Sequence, residues 1–132
     1  MTIELTLLGW SLVLGLVQVL LPAMARNREA GLAYNAGARD APAPPPGLVT
    51  ARLQRAQANL FETLPLFAAA ILVAHVAGRE GALTQLGAWA FLIGRLAHLP
   101  LYAAGVPWLR SLAWTVSLAG LIAVFVAILL PA

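Results

Sequence analysis

The sequence predicts an all-α integral membrane protein built as a four-helix bundle. Three observations carry that expectation. Of 132 residues, 61% are hydrophobic and only 10% are charged. The apolar residues gather into four stretches, at about 3–25, 60–78, 83–105 and 108–130, each near the ~20 residues a helix needs to cross ~30 Å of hydrocarbon. The breaks between them hold most of the proline and arginine, which end or solvate helices. A chain of this length suits one domain, residues 1–132.

The first helix is expected over residues 3–25, closing near Pro22. Ala23-Met24-Ala25 resembles a signal cleavage site. Against cleavage, Met1-Thr2-Ile3-Glu4 has no arginine or lysine, and the apolar core exceeds the about 7–15 residues of a signal. The segment is therefore read as a retained membrane helix. Residues 26–47 follow as a polar loop expected on the cytoplasmic side. Its prolines at 42, 44, 45 and 46 favour extended backbone.

The second helix is expected over 49–77, so that its first polar turns lie at the membrane surface. Gly78-Arg79-Glu80-Gly81 reads as a tight turn. The third helix is expected over 82–104 and ends at Gly105. Pro107 suits the first turn of the fourth, expected over 108–130. Small residues at Ala70, Ala74 and Gly78, and again at Ala113 and Ser117, form ridges that let membrane helices approach closely.

All the basic charge is arginine, and the net charge is +3. Arg26, Arg28, Arg39, Arg52, Arg55 and Arg110 fall on one side, and Arg79 stands alone on the other. The positive-inside rule then places both termini outside the cytoplasm. There is no cysteine, which excludes disulfides and any protein thiol as nucleophile or metal ligand. Neither His75 nor His98 has a carboxylate at metal spacing, so no metal site is expected. His75 reads as an interfacial residue. No nucleic-acid module, Ser/His/Asp order or phosphate-binding glycine loop is present.

The polar residues inside the apolar helices form stripes. At 100° per residue, Arg52, Arg55, Asn59 and Glu62 share an arc of about 80°. Arg95, His98 and Tyr102 line up in the third helix, as do Arg110, Trp114 and Ser117 in the fourth. Glu62 lies about ten residues in from Arg52, and Arg95 about ten in from Gly105, so both sit about 15 Å below the surface. A Glu62–Arg95 ion pair across the two helices is expected, with His98 level with Asn59 and Tyr102 level with Arg55. Charged groups at membrane depth cost ~2.5–3.5 kcal/mol and mark functional sites. The arginines outnumber Glu62, and the surplus suits an anionic ligand or lipid headgroups.

The stretch RLQRAQANLFETLPLF at 52–67, with GRLAHLPLY at 94–102 and LRSLAW at 109–114, resembles the MAPEG family, the membrane-associated proteins of eicosanoid and glutathione metabolism. The likeness covers nearly the whole chain except the 26–47 loop, and is similar to bacterial-type members, which implies an inner-membrane location. It implies a homotrimer in contact with lipid, with glutathione as co-substrate bound between neighbouring subunits near the cytoplasmic face and a lipophilic small molecule as second substrate. Arg55, Asn59 and Glu62 match residues that hold the tripeptide, and Tyr102 matches a tyrosine at the site. His98 occupies a position that is histidine in one eicosanoid-synthase branch and tyrosine in the other, and Arg52 and His98 join the candidate binding residues from the polar stripes. Gln57 matches another such residue although it projects away from the stripe, which fits a site drawn from two subunits. Arg110 matches the arginine assigned to the glutathione sulfur, and Ser111 a serine proposed to assist it. Arg26 or Arg28 matches a basic residue at the end of the first helix. Ala58 and Thr63 depart from the two eicosanoid-synthase branches and argue against either of those activities.

Three functions stay open on the sequence. The first is a glutathione-dependent transferase or peroxidase acting on lipophilic electrophiles. The second is a non-catalytic lipid-binding or scaffolding member. The third is a small proton-coupled exporter using Glu62, which the surrounding arginines disfavour.

Overall fold

The computed structural model describes residues 1–131 and contains four long helices and one short one. They are α1 (Ile3–Ala30), α2 (Leu32–Ala36), α3 (Leu48–Val76), α4 (Ala82–Ala104) and α5 (Pro107–Leu129). No strand occurs among the described residues. Of the four long helices, α1, α3 and α5 are long and apolar enough to cross a membrane. The apolar run of α4 is interrupted by Thr84, Gln85, Arg95 and His98.

The N-terminus of α1 is capped by Thr2, whose hydroxyl accepts from Leu5 N at 3.3 Å. Pro22 sits inside the helix rather than ending it, and α1 continues to Ala30, about five residues past the expected end. Proline inside a membrane helix is tolerated when neighbours re-satisfy the backbone it frees. The last turns are held by polar contacts that the fading hydropathy does not reveal. Arg26 pairs with Glu29 at 3.0 Å, and Asn27 accepts from Asn35 Nδ2 at 2.8 Å. Gly31, at φ +87°, provides the stop. The residues expected as a plain loop thus contain the end of α1 and all of α2. Beyond α2 the proline run is tied down at both ends. Tyr34 donates to Ala41 O at 2.6 Å, and Glu29 accepts from Gly47 N and the Thr50 hydroxyl at 2.9 and 3.0 Å.

Two pairings build the bundle: α1 lies along α3, and α4 lies along α5. The core is apolar, with Leu60, Leu64, Phe67 and Ile71 of α3 meeting Leu7, Leu8 and Leu14 of α1 and Phe91 of α4. Phe67 and Phe91 stack at 4.0 Å between ring centroids. Lipid supplies no hydrophobic drive between helices, so association rests on close packing. Glycines provide it between α4 and α5. A Cβ at Gly94 would lie 2.8 Å from both Ala113 O and Ser117 N, and one at Gly87 would lie 2.6 Å from Gly120 O. Ala113 and Ser117 are therefore buried by the glycine face of α4. Ala70 and Ala74 are buried as well, whereas Gly78 of the same ridge is exposed in the α3–α4 turn.

At the end holding the N-terminus, a polar clasp joins α1 to the α3–α4 turn. Thr2 donates to Glu80 at 2.7 Å, His75 Nδ1 lies 2.9 Å from the other Glu80 oxygen, and Thr84 donates to buried Glu4 at 2.6 Å. The Thr2 hydroxyl, and after it the His75 ring, hold the Glu80 carboxyl below its ordinary value of 4.5.

Candidate functional site

The opposite end carries the arginines, and here α3, α4 and α5 meet. Arg52 and Arg55 project from the first turns of α3. Tyr102 comes from the last turn of α4, and Arg110 from the first turn of α5. Gly105 ends α4 at φ +74° and lets α5 fold back sharply. It is also where Arg52 fits: a Cβ on Gly105 would lie 2.6 Å from the Arg52 guanidinium carbon. Arg52 Nη1 donates to Ala103 O at 3.3 Å, which binds the start of α3 to the end of α4.

Arg52, Arg55, Tyr102, Pro107 and Arg110 line a cavity of about 220 Å³. Beside it, Asn59, His98, Tyr102, Arg110, Ser111 and Trp114 line another of about 340 Å³. Tyr102 and Arg110 belong to both, so the two form neighbouring parts of one cleft. The Arg110 guanidinium lies 4.7 Å from the Tyr102 ring centroid and that of Arg55 lies 5.9 Å from it. One aromatic ring thus steadies two like charges that would otherwise repel. His98 packs against the same ring at 5.4 Å and is buried, with no hydrogen-bond partner for its Nδ1 among the described residues.

Deeper in, the expected ion pair is replaced by a different arrangement. Arg95 is fully buried, and its guanidinium donates to Asn59 Oδ1 at 2.7 Å and to the Thr63 hydroxyl at 2.9 Å. No Arg95–Glu62 pair forms among the described residues, and Glu62 is exposed. The reason is helical geometry. Asn59 and Thr63 are four residues apart and present one row to α4, whereas Glu62 is turned about 60° from Asn59. Because Arg95 takes the Asn59 carbonyl oxygen, the amide N–H groups of Asn59 are left for the cleft. The i, i+4 spacing from Asn59 was the signal available for Thr63.

Ser111 lines the cleft, and its hydroxyl donates back to Pro107 O at 3.2 Å, leaving its lone pairs outward. Gln57 lies elsewhere. It shares a cavity of about 450 Å³ with Arg26, Asn27, Asn35, Arg39 and Gln54, between α1, α2 and α3. Gln57 and Asn59 are about 160° apart around α3, so this cavity opens on the other flank of the protomer. Arg28 does not join it, and instead faces Glu29, Thr50 and Leu53. Of the expected residues, the structure gathers Arg52, Arg55, Asn59, His98, Tyr102, Arg110 and Ser111 into one cleft. Arg26 and Gln57 form a second group, with Glu62 and Arg28 outside both. The contributions of Thr63, Gln54, Asn35 and Arg39 are added by the fold.

The cleft can attract and orient an anion. Three guanidinium groups line it with no carboxylate among the described lining residues. Such a concentration of fixed positive charge, flanked by low-dielectric walls, favours an acidic ligand. No group of three or more His, Cys, Asp or Glu suited to a metal occurs among the described residues. Comparison with known proteins gives one match: residues 7–130 fit the model of the MAPEG family. No curated protein and no solved structure matches the chain.

Proposed function

The chain belongs to the MAPEG family, and from that premise we propose that it is a membrane-bound, glutathione-dependent transferase or peroxidase acting on lipophilic electrophiles. The observation that carries the reading is the cleft in which Arg55 and Arg110 converge on Tyr102. The protein has no thiol of its own, and glutathione supplies one. A free cysteine thiol has a pKa of ~8.5, so little of it is ionised at neutral pH. Lowering that value by about two units takes ~2.7 kcal/mol of preferential thiolate stabilisation. One guanidinium at ~4 Å in an effective dielectric of ~20 offers up to ~4 kcal/mol before desolvation. Arg110 is assigned to the sulfur, with the Ser111 or Tyr102 hydroxyl assisting. The thiolate attacks a carbon electrophile and displaces its leaving group, or attacks the terminal oxygen of a hydroperoxide. The second route breaks the O–O bond to give glutathione sulfenic acid and an alkoxide that takes a proton from water to leave as the alcohol; a second glutathione then converts the sulfenic acid to the disulfide and water.

Arg52, Arg55 and Asn59 bind and orient the tripeptide, and Glu62, exposed on α3 outside the cleft lining, receives its ammonium group where the ligand extends beyond that lining. His98 and Trp114 form the inner wall. A homotrimer accounts for Gln57 and Arg26: each protomer presents its cleft on one flank of α3 and these two residues on the other, so a neighbour completes the site. All four long helices are taken to span the membrane, with the arginine-rich end in the cytoplasm and both termini outside. Arg26 is the better fit than Arg28 for the basic residue from α1, because it shares a cavity with Gln57.

The test is conjugation of a generic aromatic electrophile by purified protein. Wild type should form the glutathione conjugate. Arg110→Ala should lose about 100-fold in rate, as expected for ~2.7 kcal/mol of lost thiolate stabilisation, with little loss of glutathione affinity. A wild-type protein inactive towards every electrophile and hydroperoxide offered would refute the enzymatic reading.

A further inference from the structure

The cavity between α1, α2 and α3 contains a cation that the family resemblance does not use. Arg39 follows α2, lines the cavity of about 450 Å³, and shares it with Arg26, Asn27, Asn35, Gln54 and Gln57. No carboxylate lines this cavity among the described residues. Arg26 is partly committed, donating to Glu29 at 3.0 Å and to Pro44 O at 2.9 Å. Arg39 forms no ion pair among the described residues. Its guanidinium folds back so that Nε and Nη2 donate to Asn35 O at 3.0 and 2.8 Å, which leaves the Nη1 donors free. The backbone of Arg39 has φ +60°, the one non-glycine positive φ among the described residues. A long side chain rarely adopts that conformation unless its surroundings hold it there. They do so here: Tyr34 donates to Ala41 O at 2.6 Å just beyond Arg39, and Asn35 is fixed to Asn27 at 2.8 Å. The loop is thus a braced arm that presents one uncompensated guanidinium over a donor-rich hollow.

We propose that Arg39 is a substrate-binding residue that takes the glycine carboxylate of glutathione bound in the cleft of the neighbouring protomer. This rests on the glutathione-dependent, trimeric reading above. The choice of carboxylate follows from charge. Exposed Glu62 suits the ammonium of the γ-glutamyl end, so the far carboxylate is the group left for a cavity lined by two arginines and four amides, with Tyr34 and apolar residues beside them and no carboxylate among the described lining residues. Gln54 and Gln57, for which no side-chain partner occurs among the described residues, are placed to bond the adjacent peptide group.

The experiment is isothermal titration of the detergent-solubilised full-length protein with glutathione and with glutathione monoethyl ester, in which the glycine carboxylate is esterified and uncharged. It compares wild type, Arg39→Asn and Arg39→Lys. Asparagine tolerates positive φ, so that variant removes the cation while keeping the turn. Expected is a roughly 10-fold weaker glutathione affinity in Arg39→Asn, the size of one lost charge-assisted hydrogen bond. Arg39→Lys should fall between it and wild type, and all three should bind the glycine ester alike. Equal glutathione affinity in wild type and Arg39→Asn would overturn the role of Arg39 and leave the proposed function standing. An equal penalty on both thiols would overturn the assignment to the glycine carboxylate. A wild type that binds neither thiol would overturn the proposed function and this inference together.

Discussion

Asn59 owes its position to Arg95. The guanidinium takes the amide oxygen and the Thr63 hydroxyl together, at 2.7 and 2.9 Å, in a place with no exposure to solvent. A fully buried arginine of this kind is costly to insert. What it provides is one fixed orientation for the amide that faces the cleft. Arg95→Met keeps much of the bulk and removes both bonds, leaving Asn59 and Thr63 unpaired. It should lower stability by about 3 kcal/mol, the size of one or two hydrogen bonds to a charged group, read as a fall in unfolding midpoint in detergent. It should also weaken glutathione binding through the misplaced amide. The stripe that holds these residues was legible from the 100° rule, but the partner of Arg95 was not. Counting depth brings Glu62 and Arg95 to one level and says nothing of azimuth, and about 60° of rotation around α3 moves the carboxylate off the contact row. A short hydroxyl residue one helical turn from Asn59 meets the guanidinium instead.

The bounds of α3, α4 and α5 lie within a residue of those expected, since hydrocarbon thickness fixes how much greasy helix is needed and the polar stripe of α3 extends its helical spacing back beyond the apolar run. The exception is α1. Its last turn is polar, so hydropathy does not mark where it ends and local bonds do: Arg26–Glu29, Asn27–Asn35 and the Gly31 stop. The same local bonding creates α2 in a segment whose composition reads as loop. Contact between α4 and α5 depends on Gly87, Gly94 and Gly120, of which the small-residue pattern on α5 gave only the other half. Gly94→Ala should be destabilising despite alanine's better helix propensity, because the new methyl would lie 2.8 Å from Ala113 O and Ser117 N. Overpacking of this kind costs about 1–3 kcal/mol. Thermal unfolding of the variant should begin at a lower temperature, and an unchanged midpoint would mean that the two helices separate more easily than their packing implies. Because Arg110 rides on α5, a shift there should also raise the KM for the thiol.

Across the whole molecule the two ends are built for different tasks. The arginine-rich end gathers cations around a cleft, while the other end closes with the Thr2–Glu80–His75 clasp. Glu80 is held below 4.5 by these partners, so it binds its proton more weakly folded than unfolded. Its stabilisation is therefore fully present above about 4.5 and is lost as the pH falls through the lowered folded value. Wild type should lose thermal stability along that acid limb, and Glu80→Gln should show a flatter one; identical limbs would remove the clasp from the account. The distribution of the candidate residues over two flanks of α3 was foreshadowed by Gln57, which projects away from its neighbours in sequence. That the second flank also includes Asn35 and Arg39 depends on α2, and no periodicity in residues 26–47 announced it. In the proposed function, cations from α3 and α5 converge on a pocket for a small acidic thiol. Isothermal titration of the solubilised wild type with glutathione and its S-hexyl analogue tests it most directly. Both should bind saturably, and Arg55→Ala should abolish or strongly weaken that binding; an absence of binding at millimolar ligand would refute the proposed function.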